Sequence, residues 1–285
     1  MPAPEGATLA AALRWGAAQL GRSPTAMLDA RVLLKAALGL DDAGLIVQDS
    51  RILSPGEVSA FETMIARRAA DEPVAYITGV REFWSLPIAV EAGILVPRAD
   101  SETLIAAVLA KRDAKAGWRI LDLGCGSGAL LCALLASMPA ATGLGVDINA
   151  RAAALTNRNL AALGLAARGR AVTGDWTAGT SGRFDIIVSN PPYIAEKDRG
   201  TLPRDVAAFE DHRALFAGAD GLDAYRALSG RLAGVAAGGG LIALELGAGQ
   251  AEAVAALLRP AFPNGQFAAV PDLGGTARAL IIDLA

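Results

Sequence analysis

The chain has 285 residues, of which 53% are apolar, and its 26 basic and 29 acidic side chains give a formal net charge of −3. This length allows one large domain, or a medium domain with a small one, and the apolar content supports extended cores. Neither the part before Pro97 nor the part after it is strongly basic, which argues against a protein that grips nucleic acid through its phosphates.

Cysteine and histidine are scarce, because Cys125, Cys132 and His212 are the only ones. They form neither a disulfide framework nor a metal-ligand cluster, so we predict no metal site and a reducing compartment. Glu5 precedes the first basic residue, Arg14, unlike the positive start of a signal peptide. No run of about 20 apolar residues indicates a membrane span. These features predict a cytoplasmic protein.

The first part of the chain carries helix signals. Ser54-Pro55-Gly56-Glu57 is a capping box with proline at the first helical position. Ser23 and Pro24 can begin an earlier helix that Gly39 ends. We therefore predict a small helical domain over residues 1–73.

Residues 74–96 are predicted to form a β-hairpin linker. In this prediction, Val74-Ala75-Tyr76-Ile77 pairs with the stretch from Phe83 to Val90, and Gly79 lies near the turn.

A helix running to Lys111 should follow, with Asp100 or Ser101 as its cap. Arg98 and Glu102 would then lie close together. Two interpretations of this pair remain open: a surface ion pair beside a helix start, or part of a binding site.

From Trp118 onward, apolar strands and helices alternate. The predicted strands cover residues 119–123, 143–146, 171–172, 184–188 and 241–246, the last one after the Gly238-Gly239-Gly240 turn, and the predicted helices cover residues 129–137 and 150–163. This alternation is typical of βαβ units in a mostly parallel sheet that is covered on both faces. We therefore predict an α/β domain over residues 97–285.

A glycine-rich loop joins the first strand and helix of this domain. Its residues are Gly124, Cys125, Gly126, Ser127 and Gly128. Glycines let the backbone approach a ligand that a β-carbon would exclude, although dinucleotide-binding folds use a similar spacing. Cys125 has no partner base in sight and is interpreted as a small filler.

Three side chains after the next two strands favour a nucleoside ligand. Asp147 can accept hydrogen bonds from both ribose hydroxyls. Asp175 offers a carboxylate to an adenine amine, and Trp176 offers an indole that can stack on the ring.

The fourth strand of this domain leads into Ser189-Asn190-Pro191-Pro192-Tyr193. The two prolines fix φ and remove two N–H donors, which leaves a rigid rim that only accepts hydrogen bonds. Asn190 adds a carbonyl acceptor and Tyr193 a flat aromatic face. A strand-ending turn is the simpler interpretation, but an acceptor-only rim also suits a substrate that carries an NH₂ group.

Such a rim can promote methyl transfer to a nitrogen whose lone pair is delocalised. The Asn190 side-chain oxygen and the Pro191 carbonyl can hold the two N–H bonds, aim the lone pair and stabilise the growing positive charge. Tyr193 can pack on the planar substrate group. The tetrapeptide from Asn190 to Tyr193 leaves the substrate open among a glutamine amide and the amines of adenine and cytosine.

The order of these motifs resembles the class I S-adenosylmethionine-dependent methyltransferases, and further segments resemble the peptide chain release factor glutamine methyltransferases, the PrmC/HemK family. The segments that carry the second resemblance are Asp29-Ala30-Arg31-Val32-Leu33-Leu34, residues 79–87, residues 97–102, residues 190–194, Asp220-Gly221-Leu222 and Leu244-Glu245-Leu246-Gly247-Ala248-Gly249-Gln250.

The resemblance implies a Rossmann-like domain with a seven-stranded sheet. It also implies that the glycine loop, Asp147, Asp175, Trp176 and Asn190 bind S-adenosylmethionine, which leaves as S-adenosylhomocysteine. The substrate would be the amide nitrogen of the glutamine in the Gly-Gly-Gln motif of class I release factors, bound by the tetrapeptide, with Arg98 and Glu102 near the opening. The helical domain would help to dock the release factor. We expect a monomer that makes no direct contact with nucleic acid or membrane.

One segment departs from the family pattern, because Phe209-Glu210-Asp211 stands where Phe-Glu-Pro is common and His212 follows it. We expect a looser loop here, with His212 solvated, and Ala99 similarly replaces a common proline. An adenine amine methyltransferase acting on DNA or RNA is the alternative function. A non-catalytic cofactor-binding adaptor for release factors is a third hypothesis.

Overall fold

A computed structural model describes residues 6–284, which divide into two compact units. The first unit comprises the residues up to Val80 together with Pro203–Phe209, and the second comprises Arg81–Leu202 together with the residues from Glu210 onward. Among residues 6–284, no helix combines the length and apolarity needed to cross a membrane.

Five consecutive helices form most of the first unit: α1 (Leu9–Gln19), α2 (Ala26–Leu38), α3 (Asp42–Val47), α4 (Pro55–Ala69) and α5 (Val74–Thr78). Leu33, Leu34, Phe61 and Ile65 are among its buried core residues.

The predicted start of α4 is confirmed. The Ser54 hydroxyl accepts a hydrogen bond from the Glu57 N–H, and the Glu57 carboxylate accepts one from the Ser54 N–H at 2.8 Å. The predicted end of α2 is also confirmed, since Gly39 takes a left-handed φ of 63°. Its start differs, because the Ser23 hydroxyl donates to Asp29 at 2.9 Å and α2 begins only at Ala26.

The predicted strand over Val74–Ile77 was wrong, because these residues belong to α5, which ends at a left-handed Gly79. The hairpin consists of β1 (Val80–Phe83) and β2 (Leu86–Ala89). Trp84 and Ser85 form its turn, with φ of 53° and 59°. The glycine that suggested a hairpin turn therefore caps a helix, and two non-glycine residues make the turn.

The second unit continues with α6 (Glu102–Lys111), β3 (Arg119–Leu123), α7 (Ala129–Ser137), β4 (Thr142–Asp147), α8 (Ala150–Ala162), β5 (Gly169–Thr173) and β6 (Phe184–Ser189). Helix α9 (Arg204–Phe209), which clusters with the first unit, comes next, and then α10 (His212–Leu215), α11 (Asp223–Ser229), α12 (Leu232–Val235), β7 (Ala236–Glu245), α13 (Ala251–Leu258), β8 (Gln266–Pro271) and β9 (Ala277–Asp283). Two short 3-10 helices cover Ala99–Ser101 and Glu196–Thr201.

Seven strands form one sheet in the order β5-β4-β3-β6-β7-β9-β8. The first five strands of this order are parallel, and β9 runs antiparallel to both of its neighbours. The predicted α/β class with a mostly parallel, seven-stranded sheet is thereby confirmed. The predicted turn at Gly238-Gly239-Gly240 was wrong, because these glycines lie within β7, beside a register shift against β6.

Two apolar layers cover the faces of this sheet. Alternate side chains of β3 show the arrangement, because Ile120 belongs to one buried cluster and Leu121 and Leu123 belong to the other. Helix α7 is buried along most of its length. The carboxyl ends of β3, β4 and β6 therefore open onto one edge of a rigid sheet, which is where ligands bind in open α/β folds.

Candidate active site

The glycine loop joins β3 to α7 in a strongly curved backbone. Gly124, Gly126 and Gly128 have φ of 71°, 56° and 80°. A β-carbon at Gly128 would lie 2.6 Å from the Thr156 Cγ2, so a larger residue would be strained and also crowded. The Thr156 hydroxyl donates to the Gly126 carbonyl at 3.1 Å. Helix α8 thus packs against the loop through Thr156.

Asp147 ends β4 and lies directly against this loop. Its carboxylate accepts hydrogen bonds from the N–H groups of Gly126 and Asn149, each at 2.8 Å. Burial raises the pKa of Asp147, although both N–H groups favour the ionised form. The side chain therefore shapes the loop and also faces the cavity described next.

A cavity of about 300 Å³ lies within the second unit, at the carboxyl ends of the strands. Every residue from Gly124 to Ser127 lines it, as do Asp147, Asp175, Trp176, Asn190 and Pro192. The cavity also reaches the hairpin and the segment before α6, where Phe83, Ile94, Leu95 and Pro97 add apolar walls. The structure thus brings the predicted cofactor loop and part of the predicted substrate motif to one cavity.

Asp175 and Trp176 follow β5. Trp176 has a left-handed φ of 51°, which is rare for a bulky residue, and a β-carbon at Gly124 would lie 3.9 Å from its indole. Asp175 forms an ion pair with Arg231 at 3.0 Å, so its carboxylate is already partly engaged. Trp176 is one of the residues that line the cavity.

The predicted substrate motif, Asn190 to Tyr193, begins where β6 ends. Asn190 and Pro192 line the cavity, whereas Pro191 is buried and is not among the lining residues. The Asn190 Nδ2 donates to the Ser101 hydroxyl at 3.1 Å. The hydroxyl of Tyr193 lies 3.3 Å from a carboxylate oxygen of Glu245, to which it donates. Asn190 and Pro192 thus form part of the cavity wall, whereas Pro191 and Tyr193 do not line the cavity.

Glu245 is a buried carboxylate at the end of β7, with 1% of its surface exposed. It accepts hydrogen bonds from the hydroxyls of Ser101 and Tyr193. Burial raises its pKa to about 7, while these two hydroxyls and the nearby Arg278 pull in the other direction. A group with this pKa changes its charge near neutral pH.

Gln250 draws three of the sequence motifs together. Its Nε2 donates to the carbonyls of Tyr193 at 2.9 Å and Gly221 at 3.3 Å, and its Oε1 accepts from the Gly247 N–H at 2.9 Å. A β-carbon at Gly221 would lie 2.4 Å from the Tyr193 carbonyl oxygen, so this contact requires glycine. Three of the segments that carry the family resemblance, those with Tyr193, Gly221 and Gly247, therefore meet at Gln250.

Arg98 and Glu102 are not paired with each other. Arg98 forms an ion pair with the buried Glu210 at 2.6 Å, and Glu102 accepts a hydrogen bond from the Trp84 N–H at 2.8 Å. Neither residue lines the cavity. Ser101 occupies the N-cap position of α6, as one of the two predicted candidates, but its side chain makes no capping bond to the helix. Asp100 instead forms an ion pair with Arg278 at 3.1 Å.

The departure at Asp211 is a defined structure and not a looser loop. Asp211 accepts a hydrogen bond from the Arg213 N–H at 2.9 Å and forms an ion pair with the Arg213 guanidinium at 2.7 Å. It thereby caps α10, in which His212 is an exposed first residue and not a loop residue. Asp211 and Arg213 also line the cavity.

Cys125 has a buried side chain that fills the space beside Ala153 and Ala171. Burial raises the pKa of its thiol well above the usual range, which disfavours a thiolate nucleophile. Among residues 6–284, no group of three His, Cys, Asp or Glu side chains could hold a metal ion.

Sequence reasoning missed Ser101 and Glu245 as members of the site. Ser101 was interpreted as a helix cap and Glu245 only as part of a motif. One signal was available, because Glu245 is a single charge in the otherwise apolar run Leu241–Leu246. A carboxylate in such a strand is buried and requires partners.

Two family models match the chain: the PrmC N-terminal domain over residues 11–79 and the methyltransferase small domain over residues 99–206. The release factor glutamine methyltransferase of Bradyrhizobium diazoefficiens is 45% identical over 276 residues, which cover 96% of this chain and 91% of that protein. The corresponding protein of Rhodospirillum rubrum is 48% identical over 230 residues, which cover 81% of this chain and 70% of that protein.

The structure resembles that of the T. thermophilus 16S rRNA N2 G1207 methyltransferase in complex with AdoMet and guanosine. The TM-score is 0.51 at 21% sequence identity, and the similarity covers 72% of this chain and 50% of that chain. At this identity, the similarity supports the methyltransferase fold alone.

Proposed function

The chain belongs to the release factor glutamine methyltransferase family, and we propose that it methylates the side-chain amide nitrogen (N5) of the glutamine in the Gly-Gly-Gln motif of class I peptide chain release factors. The methyl donor is S-adenosylmethionine. The observation that carries this proposal is that Asn190 of the substrate motif lines the same cavity as the glycine loop and Asp147. Donor and acceptor sites would thus adjoin.

The residues around the cavity fit this donor. The left-handed glycines of the loop leave backbone exposed where a β-carbon would stand, which suits the close approach of a nucleoside and its amino-acid tail. Asp147 would bind the ribose hydroxyls with the lone pairs left over from its two backbone bonds. Trp176 would stack on the adenine. When bound, the donor supplies a methyl group on a positively charged sulfur.

The substrate motif would hold the amide that receives the methyl group. The Asn190 Oδ1 and the Pro191 carbonyl would accept the two N–H bonds of the glutamine amide and turn its lone pair toward the donor. As the N–C bond forms and the S–C bond breaks, positive charge grows on the nitrogen. The acceptor oxygens stabilise that charge.

Methylation leaves a proton to be removed from the nitrogen. That proton becomes acidic only as the new bond forms, so a weak acceptor can take it and no strong base is required. The acceptors at Asn190 and Pro191 already hold the N–H bonds through which the proton would leave to water.

The helical first unit would help to dock the release factor, with Arg98 and Glu102 near the substrate opening. Because its substrate acts on the ribosome, we place the enzyme in the cytoplasm. We propose that it acts as a monomer without direct contact to nucleic acid.

The test is to incubate the purified chain with S-adenosylmethionine that carries a labelled methyl group, together with a class I release factor. Mass spectrometry of the Gly-Gly-Gln peptide should find a gain of one methyl group on the glutamine. A release factor with alanine in place of that glutamine is the matched control and should stay unlabelled.

Two outcomes would overturn the proposal. Label that enters only DNA or RNA, offered in parallel, would favour the adenine methyltransferase alternative. Tight binding of the release factor without any transfer would favour the adaptor.

A further inference from the structure

A chain of three side chains connects the buried carboxylate at the end of β7 to the substrate motif. Glu245 accepts the hydroxyl proton of Ser101, and the Ser101 oxygen accepts a hydrogen bond from the Asn190 Nδ2 at 3.1 Å. Ser101 and Glu245 are both buried, with 3% and 1% of their surfaces exposed. Solvent therefore offers them few alternative partners.

The number of available protons determines which atom donates and which accepts in these two hydrogen bonds. A serine hydroxyl has one proton to donate, and an ionised carboxylate can only accept. Because the Ser101 proton is committed to Glu245, its oxygen can only accept from whichever Asn190 atom faces it. That atom must be Nδ2. If the amide were flipped, two acceptor oxygens would lie 3.1 Å apart.

We infer that Glu245 is a positioning residue that sets the amide orientation of Asn190 through the hydroxyl of Ser101. With Nδ2 held by Ser101, the Asn190 Oδ1 occupies the other end of the amide. This inference rests on the proposed function, because Oδ1 is the acceptor that the substrate amide requires there. A flipped Asn190 would present an NH₂ group to another NH₂ group.

Tyr193 supports the same carboxylate from the other side. Its hydroxyl donates to the second oxygen of Glu245 at 3.3 Å, so both carboxylate oxygens are engaged by the site. The Tyr225 hydroxyl fixes the backbone of the same residue by donating to the Glu245 carbonyl at 2.7 Å. The substrate motif and its orienting group are thus linked at both Asn190 and Tyr193.

The charge state of Glu245 decides whether the orientation is enforced. A protonated Glu245 can donate to the Ser101 oxygen, and Ser101 can then donate to a flipped Asn190. The charged and titratable groups near Glu245 are Arg278, which favours its ionised form, Asp100, which disfavours it, and the phenols of Tyr193 and Tyr225. Since burial raises the pKa of Glu245 to about 7, the orientation becomes enforced as pH rises through neutrality.

The test measures kcat and both KM values of the full chain with release factor and S-adenosylmethionine, from about pH 5.5 to 9. The wild type should show a kcat that rises with an apparent pKa near 7. Ser101→Ala should lower kcat by roughly 10-fold and leave the KM for the donor unchanged, since a misaligned acceptor affects only the reacting geometry.

Glu245→Gln tests the charge separately from the shape. Its amide carbonyl can still accept a hydrogen bond from Ser101, so kcat should fall by less than in Ser101→Ala. The limb of the pH profile, which is the rise of kcat near pH 7, should disappear. Ser137→Ala is the matched control, because it also removes a serine hydroxyl. That hydroxyl accepts a hydrogen bond from the Trp84 indole N–H at 3.0 Å, and Ser137 does not line the cavity. Its kcat and pH profile should be those of the wild type.

A wild-type kcat in Ser101→Ala, or an unchanged limb in Glu245→Gln, would overturn the inference. A second readout does not depend on activity: the side-chain ¹⁵N resonance of Asn190, assigned by its loss in Asn190→Ala. It should titrate with a midpoint near pH 7 in the wild type and not in Glu245→Gln. If the wild type transferred no methyl group, the proposed function would fail, but this titration would still decide the orientation.

Discussion

The N–H of Gly126 donates a hydrogen bond to the Asp147 Oδ2 over 2.8 Å. The second carboxylate oxygen of Asp147 accepts the N–H of Asn149 at the same distance. One side chain therefore holds the glycine loop after β3 and the turn after β4 in a fixed relation. A group with this position shapes the cavity even before it contacts a ligand.

Asp147→Asn should weaken binding of S-adenosylmethionine by roughly 10- to 100-fold, because charge-assisted hydrogen bonds contribute about 1.5–3 kcal/mol. The KM for the donor should rise, and kcat at saturation should change much less. Calorimetric titration measures the affinity directly. Asp185→Asn is the matched control, since Asp185 also accepts a backbone N–H at 2.8 Å, from Arg119, at the opposite end of the sheet. An unchanged donor affinity in Asp147→Asn would remove Asp147 from the ribose contact.

Asn190→Ala should have the reverse effect. It removes an acceptor that acts on the reacting amide, so methyl transfer should slow by roughly 100-fold or more while donor binding stays nearly intact. Single-turnover rates with labelled donor measure the transfer step. Asn157→Ala removes an asparagine that pairs with the Ala171 backbone and should keep the wild-type rate. Equal losses of donor affinity and rate in Asn190→Ala would show that Asn190 mainly builds the donor pocket.

Gly128→Ala should destabilise the second unit by roughly 1–3 kcal/mol. The reason is a φ of 80° combined with a β-carbon 2.6 Å from Thr156. Gly126→Ala is the control for conformation alone, because its φ is 56° and no atom lies within 4 Å of the added carbon. Urea unfolding should rank Gly128→Ala below Gly126→Ala. The opposite ranking would contradict the packing of the loop against α8.

The contribution of Asp122 to the free energy of unfolding should fall as pH rises from about 4 to 7, because burial raises the pKa of Asp122 from 3.8 to about 7. The folded state holds this proton more tightly than the unfolded chain, so ionisation above the unfolded pKa disfavours folding. Asp122→Asn cannot titrate and keeps the acceptor that binds the Leu131 N–H at 3.2 Å. The stability difference between Asp122→Asn and wild type should therefore grow over this range, by a few kcal/mol at most. A difference that stays constant with pH would show that Asp122 is not protonated in the fold.

Local signals predicted much of the fold. The capping box at Ser54 and the left-handed Gly39 depend on a few neighbouring residues, and both are present as predicted. The alternation of strands and helices predicted the parallel sheet, because this pattern can also be recognised from short stretches of sequence. The predicted first strand of the hairpin was wrong: three of its four residues, Val74, Tyr76 and Ile77, are β-branched or aromatic, yet a helix begins after Pro73 and ends at Gly79. Propensity alone could not separate these two outcomes.

The sequence by itself determined the chemistry of the site, because the glycine loop, Asp147 and the Asn-Pro-Pro-Tyr motif carry their donors and acceptors wherever the chain places them. Only the tertiary structure decided their partners. Asn190 and Ser101 are 89 residues apart and Ser101 and Glu245 are 144 apart, so no local pattern links them. Their contact requires β6, β7 and the segment before α6 to end at one edge of the sheet. Burial there, and not residue type, raises the pKa of Glu245 and makes the orientation of Asn190 a property of the fold.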